Sequence, residues 1–293
     1  MTPFVLGIVL TSALMHALWN AYAKDSESPI AYLALVHGVT VVAGLPLLAL
    51  FDLREVPISV WGALAAAGVV HTCYMSWLAL AYERGEMSVV YPIARSTPAF
   101  LPLIAVPVMG DPVSLTGAVG IAITVAGLWI VQTEGRFGLA ALRAPGAGFA
   151  YLTLIATVGY SLIDKQAMLF FNEAEWTGPL PRSVAYYFLL CLPITAVFTP
   201  FALRRVPRGA WGRVWRAQWG RVIGGAVAGF LSYGLVLEAL RTASVSYVTA
   251  VRQTSVIFAA GLAAFMLHER PTRLRMLGSL ATVAGVVLIV LYA

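Results

Sequence analysis

His16, Asn20 and Lys24 stand four residues apart in an otherwise apolar stretch, so they share one helical face, with Trp19 beside them. Polar insertions of this kind recur down the chain. His71 and Tyr74 lie one turn apart; Tyr91 and Arg95 are four apart, with Arg95 between Pro92 and Pro98. Tyr160 pairs with Asp164 and Ser161 with Lys165 by the same spacing. Tyr233 and Glu238 share a later apolar run, and Arg252 adjoins Gln253 near the middle of the next. Neither Arg95 nor Arg252 has an acid three or four residues away along its own helix. Two guanidinium groups facing one space would grip a carboxylate, phosphonate or phosphate through paired donors. Asp164 or Glu238, with aromatic rings nearby, could hold an amine at the other end. His16, His71 and the buried acids are the groups able to exchange protons, since imidazole titrates near neutral pH.

The candidate substrate-binding residues are therefore His16, Trp19, Asn20, His71, Tyr74, Tyr91, Arg95, Tyr160, Asp164, Tyr233, Glu238, Arg252 and Gln253. Several have a plainer role open to them. His16 could simply bond a neighbouring helix, and Lys24 could snorkel to the interface. Asp164 and Lys165 could neutralise each other, and Glu238 could pair with Arg241. The remaining Tyr and Trp residues suit an interfacial belt or packing. No paired-histidine motif, no Gly-x-Ser-x-Gly and no paired acidic motif occurs in the apolar runs, so no catalytic residue is assigned and an enzyme is not expected. Cys73 and Cys191 both sit in apolar runs without metal-ligand spacing, so neither a disulfide, a metal nor a cofactor is expected.

The elements that position these residues follow from composition. Apolar residues make up 60% and charged residues 11% of the chain, with a mean hydropathy of +0.85. Soluble domains carry about a quarter charged residues. Apolar stretches of roughly 20 residues, the length that crosses about 30 Å of hydrocarbon, recur ten times. The expected spans are 3–23, 30–51, 59–82, 87–109, 112–132, 148–171, 183–203, 219–240, 245–267 and 272–292. The first lacks a basic leader and a cleavage site, so it reads as a retained span. The chain is thus expected to be an all-α polytopic membrane protein.

The sequence is also written twice. Residues 74–131 overlay 232–289 with a constant shift of 158 (232 − 74) and no gap. Ala81 falls on Ala239, Ser88 on Ser246, Asp111 on Glu269, Gly120 on Gly278 and Gly127 on Gly285. Arg95 falls on Gln253, one position from Arg252, so the two mid-span cations take nearly equivalent places in the copies. Five spans per copy is an odd number, so the copies lie upside down relative to each other, as in transporters built from inverted repeats. The expected units are a first five-helix repeat at 1–133, a connecting loop at 134–146 and a second repeat at 147–293.

The net charge of +6 does not point to nucleic acid, because the cations lie between spans. Loops after odd-numbered spans hold thirteen, Lys24, Arg136 and Arg270 among them, against Arg54, Arg182 and Arg241 in the even loops. That asymmetry puts the odd loops in the cytoplasm and both termini outside a plasma (bacterial inner) membrane. Trp211, Trp215 and Trp219, interleaved with Arg208, Arg213 and Arg216, suit a short helix in the headgroup layer. Asp111, followed by Pro112, and Glu269 suit caps of the fifth and tenth spans. The Gly120/Gly127 and Gly278/Gly285 pairs suit close packing within the chain or between two chains of a homodimer.

Met-Gly-Asp at 109–111 and Leu-His-Glu at 267–269, each before a glycine-spaced last span, resemble the EamA-type domain of the drug/metabolite transporter superfamily. His16-Ala-Leu-Trp-Asn-Ala-Tyr-Ala-Lys24 is similar to that family's first span, and Tyr160-Ser-Leu-Ile-Asp-Lys165 to its counterpart in the second half. The His-Ala-Leu-Trp-Asn form also resembles a subset linked to phosphonate use. His268 departs from the family, which tends to have Gly there. The resemblance implies ten transmembrane helices in two inverted five-helix repeats around a central cavity, cycling by alternating access. Together with the buried cations it leads to a secondary active transporter of a small zwitterionic or anionic metabolite, an amino acid or aminophosphonate, with proton coupling open to it. The alternative is a carrier of cationic or amphiphilic compounds, by uptake or efflux, and an intramembrane enzyme is a remote third.

Overall fold

A computed structural model describes residues 1–85, 87–133, 142–267 and 272–292. Arg136, His268, Glu269 and Arg270 lie outside the described residues, as does the side chain of Lys24. The described residues with regular structure are helical. In chain order they form α1 Pro3–Lys24, α2 Pro29–Gly44, α3 Ile58–Arg84, α4 Met87–Ala94, α5 Thr97–Met109, α6 Leu115–Thr133, α7 Ala147–Glu173, α8 Arg182–Arg205, α9 Arg208–Leu240, α10 Val245–Arg252, α11 Ser255–Leu267 and α12 Arg273–Tyr292. The fourth and ninth spans are each two half-helices, α4–α5 and α10–α11, so twelve helices make ten crossings. Among the described residues, nine stretches are long and apolar enough to span a membrane, the broken α4–α5 crossing among them.

The repeat is visible in the helix ends. The starts of α4, α5 and α6, displaced by 158, fall on the starts of α10, α11 and α12 (87 to 245, 97 to 255, 115 to 273). The breaks coincide as well: Arg95–Ser96 maps onto Gln253–Thr254. The first break has an evident cause. Pro98 has no N–H to offer the carbonyl of Ala94, so the helical ladder cannot run on through the break, and Pro98 instead sits in the first turn of α5. The second has no proline; there the chain tightens into i→i+3 bonds, Gln253 N to Ala250 O at 3.2 Å and Thr254 N to Val251 O at 3.0 Å.

Inversion shows in how equivalent helices cross. A Cβ added to Gly127 would lie 2.6 Å from the carbonyl oxygen of Gly278, and one on Gly120 would lie 2.8 Å from that of Gly285. Residue numbers rise along α6 as they fall along α12, so the last helices of the two repeats are antiparallel at backbone contact. Close packing of small residues substitutes here for the hydrophobic effect, which is weak between helices surrounded by lipid. The other close pairings obey the same exchange. α3 lies along α7 as α9 lies along α1, and α3 on α8 as α9 on α2.

The odd-loop ends of the helices gather at one end of the bundle. Arg205 Nη1 meets Glu83 Oε2 at 2.8 Å, Arg213 Nε meets Glu27 Oε1 at 2.9 Å, and Arg221 pairs with Asp25. At the opposite end Asp111 departs from the expected cap of its own helix, because α6 begins only at Leu115. Gly110, in the left-handed region at φ 64°, ends α5 and turns Asp111 across the repeat boundary. Its carboxylate accepts from Ser244 Oγ (2.7 Å), Val245 N and Ser246 N (both 3.1 Å), capping α10 of the other repeat. The Trp/Arg segment forms the start of α9 and bends at Gln218 (φ −137°, ψ 21°) before the span proper. Trp215 and Trp219, on either side of that bend, are both exposed, while Trp211 packs toward Phe198 and Ala34.

Two measurements test this packing. Gly127→Val or Gly278→Val forces a side chain into opposing backbone, an overpacking cost of about 1–3 kcal/mol or more. Their melting temperature in detergent should fall well below that of Gly229→Ala, whose Cβ meets open space. At the even-loop end, Glu55 accepts from the amide (3.1 Å) and the hydroxyl of Thr177, and these bonds hold its carboxyl below the ordinary value. A lowered folded value makes this contact fully present above the usual glutamate range and lost as pH falls through the lowered value. Glu55→Gln should therefore flatten the acid limb of the melting temperature against pH and leave the neutral limb parallel to wild type.

Candidate functional site

The two helix breaks project Arg95 and Arg252 toward the same side chain. Arg95 Nη2 lies 2.9 Å from His16 Nε2, and Arg252 Nη2 lies 3.3 Å from His16 Nδ1. His16 is buried on α1, held edge-on against Trp19 with ring centroids 5.1 Å apart. Asn20 Nδ2 donates to the His16 carbonyl at 2.7 Å. A neutral imidazole has one acceptor nitrogen. Two guanidinium donors therefore compete for it, and whichever guanidinium loses faces an N–H. Arg252 Nε and Gln253 Oε1 are, besides, buried with no hydrogen-bond partner among the described residues. Buried polar groups in this condition call for a partner, whether water or a bound solute. Each guanidinium also lies over a tyrosine, Arg95 over Tyr91 at 5.2 Å and Arg252 over Tyr233 at 5.3 Å.

The first turns of α5 and α11 begin at the breaks, which aim two positive helix ends at the bundle interior. Arg95, Arg252, Trp19, Asn20, Tyr74 and Tyr91 are half-buried rather than sealed. The geometry is thus a positive, partly accessible crevice floored by His16, with one guanidinium from each repeat.

A second polar cluster abuts it through Tyr233. Asp164 on α7 is fully enclosed; its carboxylate accepts from Tyr186 OH at 2.7 Å and from Tyr233 OH, and faces His71 Nε2 at 3.2 Å. Tyr160 stacks on His71 at 4.0 Å, and Tyr74 meets Tyr160 edge-on at 5.5 Å. Lys165 is turned the other way, with Nζ donating to the carbonyls of Leu240 (2.7 Å) and Ala243 (2.9 Å), so it closes the end of α9 and does not pair with Asp164. Glu238 stands apart from both clusters. It takes Arg241 Nη1 at 2.6 Å and Ser183 Oγ at 2.7 Å at the end of α9, while Arg241 Nε also donates to Asn172.

Of the residues singled out by sequence, one group gathers on His16: Trp19, Asn20, Tyr91, Arg95 and Arg252, with Gln253 adjoining. His71, Tyr74, Tyr160, Asp164 and Tyr233 gather on the carboxylate. Tyr186 is the participant that spacing did not flag, because the tyrosines of α8 read equally well as packing. The available signal was a tyrosine deep in an apolar helix, whose hydroxyl must find a partner. The two acids predict different outcomes on removal. Asp164→Ala strands two buried hydroxyls, each costing about 1–3 kcal/mol. Glu238→Ala breaks a part-exposed pair worth about 1 kcal/mol or less. Thermal unfolding in detergent should show a much larger loss for Asp164→Ala.

Comparison with known proteins agrees with this architecture. One protein of known crystal structure superposes on all of this chain and on 99% of its own, with a TM-score of 0.72 at 14% identity, a likeness of fold. By sequence, no curated protein matches. The profile of the EamA-like transporter family matches residues 4–133 and again 149–291. This chain is a multi-pass membrane protein of the EamA-like transporter family, within the drug/metabolite transporter superfamily.

Proposed function

We propose that the protein is a secondary active carrier of a small organic anion or zwitterion, a carboxylate or phosphonate of amino-acid size, working by alternating access. The observation that carries this reading is the meeting of Arg95 and Arg252, one from each helix break, on the two nitrogens of His16. A bound oxyanion between the two guanidinium groups would satisfy Arg252 Nε. The two half-helix N-termini favour the same charge. Asp164 is enclosed and already accepts its donors, so the anionic end of the substrate is the part this site recognises.

A cationic substrate is less well served. The rings of Tyr91 and Tyr233 already carry the protein's own guanidinium groups, and Glu238 is held by Arg241. Nor does the chemistry suit an intramembrane enzyme, for among the described residues no serine, threonine or cysteine is hydrogen-bonded to a base at the crevice. The cation-rich odd loops face the cytoplasm in this reading, with both termini outside a plasma membrane.

The experiment is a thermal-shift screen of amino acids, phosphonates, quaternary amines and nucleosides on purified protein, followed by uptake into proteoliposomes. Anionic or zwitterionic compounds should stabilise the protein. Hydrogen bonds to charged groups are worth about 1.5–3 kcal/mol, so Arg95→Ala and Arg252→Ala should each lose about 10- to 100-fold in affinity with expression intact. Unchanged uptake in both variants, or a response confined to quaternary amines, would overturn the assignment.

A further inference from the structure

The crevice explains one polar cluster but not the other. Asp164 is a carboxylate with no exposed surface in the middle of a membrane protein, and its partners are not those of a structural ion pair. Lys165, the adjacent cation, is committed to the end of α9. What faces Asp164 is a set of groups that hold or relay protons. From α3 comes His71, backed by Tyr160 of α7 and, beyond that ring, Tyr74; from α8, Tyr186; and from α9, Tyr233. Beyond these, Tyr187 of α8 lies within electrostatic reach of Asp164, Arg252 of α10 and Arg95 within that of Tyr160, and His37 of α2 within that of His71. Within the pair, His71 keeps 11% of its side chain accessible and Asp164 none.

We infer that Asp164 with His71 is a proton-binding site whose occupancy is coupled to the anion crevice through Tyr233. The two buried histidines divide the work by what surrounds them. His16 has guanidinium donors at both nitrogens and serves as an acceptor. His71 has a carboxylate at Nε2, an acceptor for a ring proton, and a partly accessible edge through which a proton arrives. In the relay, a proton from water adds to His71 Nδ1 and the Nε2 proton passes to Asp164 Oδ2. The ring is left neutral and the carboxyl protonated. Release is the reverse, to water on the other side, so one proton is carried and no other bond is made or broken.

Tyr233 is the link. Its hydroxyl donates to the Asp164 carboxylate, and its ring lies under the Arg252 guanidinium at 5.3 Å. A protonated Asp164 no longer requires that donor, and one negative charge near Arg252 is gone, so Arg252 turns more readily to an incoming anion. Proton and anion therefore bind together, each raising the affinity for the other by the same factor.

The coupling half of this inference rests on the anion reading above; the proton site does not. Infrared difference spectra of the purified protein between neutral and acid pH need no ligand. A carboxylic C=O band should appear on acidification, vanish in Asp164→Asn and shift in Tyr186→Phe, which keeps the acid and removes one donor. Spectra identical in wild type and both variants would overturn the site, and if Asp164→Asn does not fold, an unshifted band in Tyr186→Phe overturns it alone. For coupling, the affinity of wild type for 2-aminoethylphosphonate should rise about tenfold or more from pH 8 to pH 6, with a much flatter profile in His71→Gln. Affinity that is flat or falls toward acid pH in wild type overturns the coupling. If the probe does not bind wild type at any pH, the aminophosphonate reading fails while the infrared result still decides the proton site.

Discussion

A guanidinium placed in the middle of a membrane span costs at least about 2.5–3.5 kcal/mol even on the most lenient scale, and this chain carries two. Most of the architecture can be read as the means of holding them there. A continuous helix would spread side chains around its barrel, and an arginine on it would face whatever its register dictates. Interrupting the helix beside the arginine frees the side chain to project inward and sets a positive helix end next to it. Both repeats interrupt at the same place, so the two cations meet on one imidazole across the pseudo-twofold axis. The charge that they jointly present has no counter-ion in His16, and the proposed oxyanion site rests on that feature.

Around that centre the polar residues sort by what encloses them. Asp164 is enclosed, accepts from two tyrosines and meets the crevice only by way of Tyr233. Lys165 and Asp111 are used up on helix ends, one closing α9 and the other opening α10. Glu238 and Arg241 neutralise each other where α9 meets the surface. These assignments leave few ionisable groups near the crevice without a structural role, and those are the arginines and histidines of the two clusters.

The sequence carried the architecture because its signals are local and redundant. Ten apolar runs, a gapless self-overlay and an odd span count each point to two inverted five-helix units, and the helix ends of α4–α6 recur in α10–α12 at the same displacement. The candidate residues were legible as buried ionisable groups, since each is an anomaly in its run. Which of them meet was not, because that depends on the rotation of each helix about its axis, and periodicity along a single helix does not contain it. Asp111 shows the difference. Its spacing before Pro112 suggests a cap, yet the helix it caps belongs to the other repeat, a contact across 133 positions that no window of sequence reports. The second helix break was likewise hidden, since it is made by Gln253 and Thr254 without a proline.

The glycine seam between α6 and α12 has a consequence of its own. Each side offers the other the same stretch of the same unit, run in opposite directions, so the contact is isologous although it lies within one polypeptide. A surface that recognises its own copy in this way does not depend on the two units being covalently joined. Covalent connection raises their effective concentration. The five-helix unit is in this respect a self-complementary half. Joining two copies in one chain let the halves diverge, so that one carries arginine at its break and the other carries glutamine there with arginine one place before it.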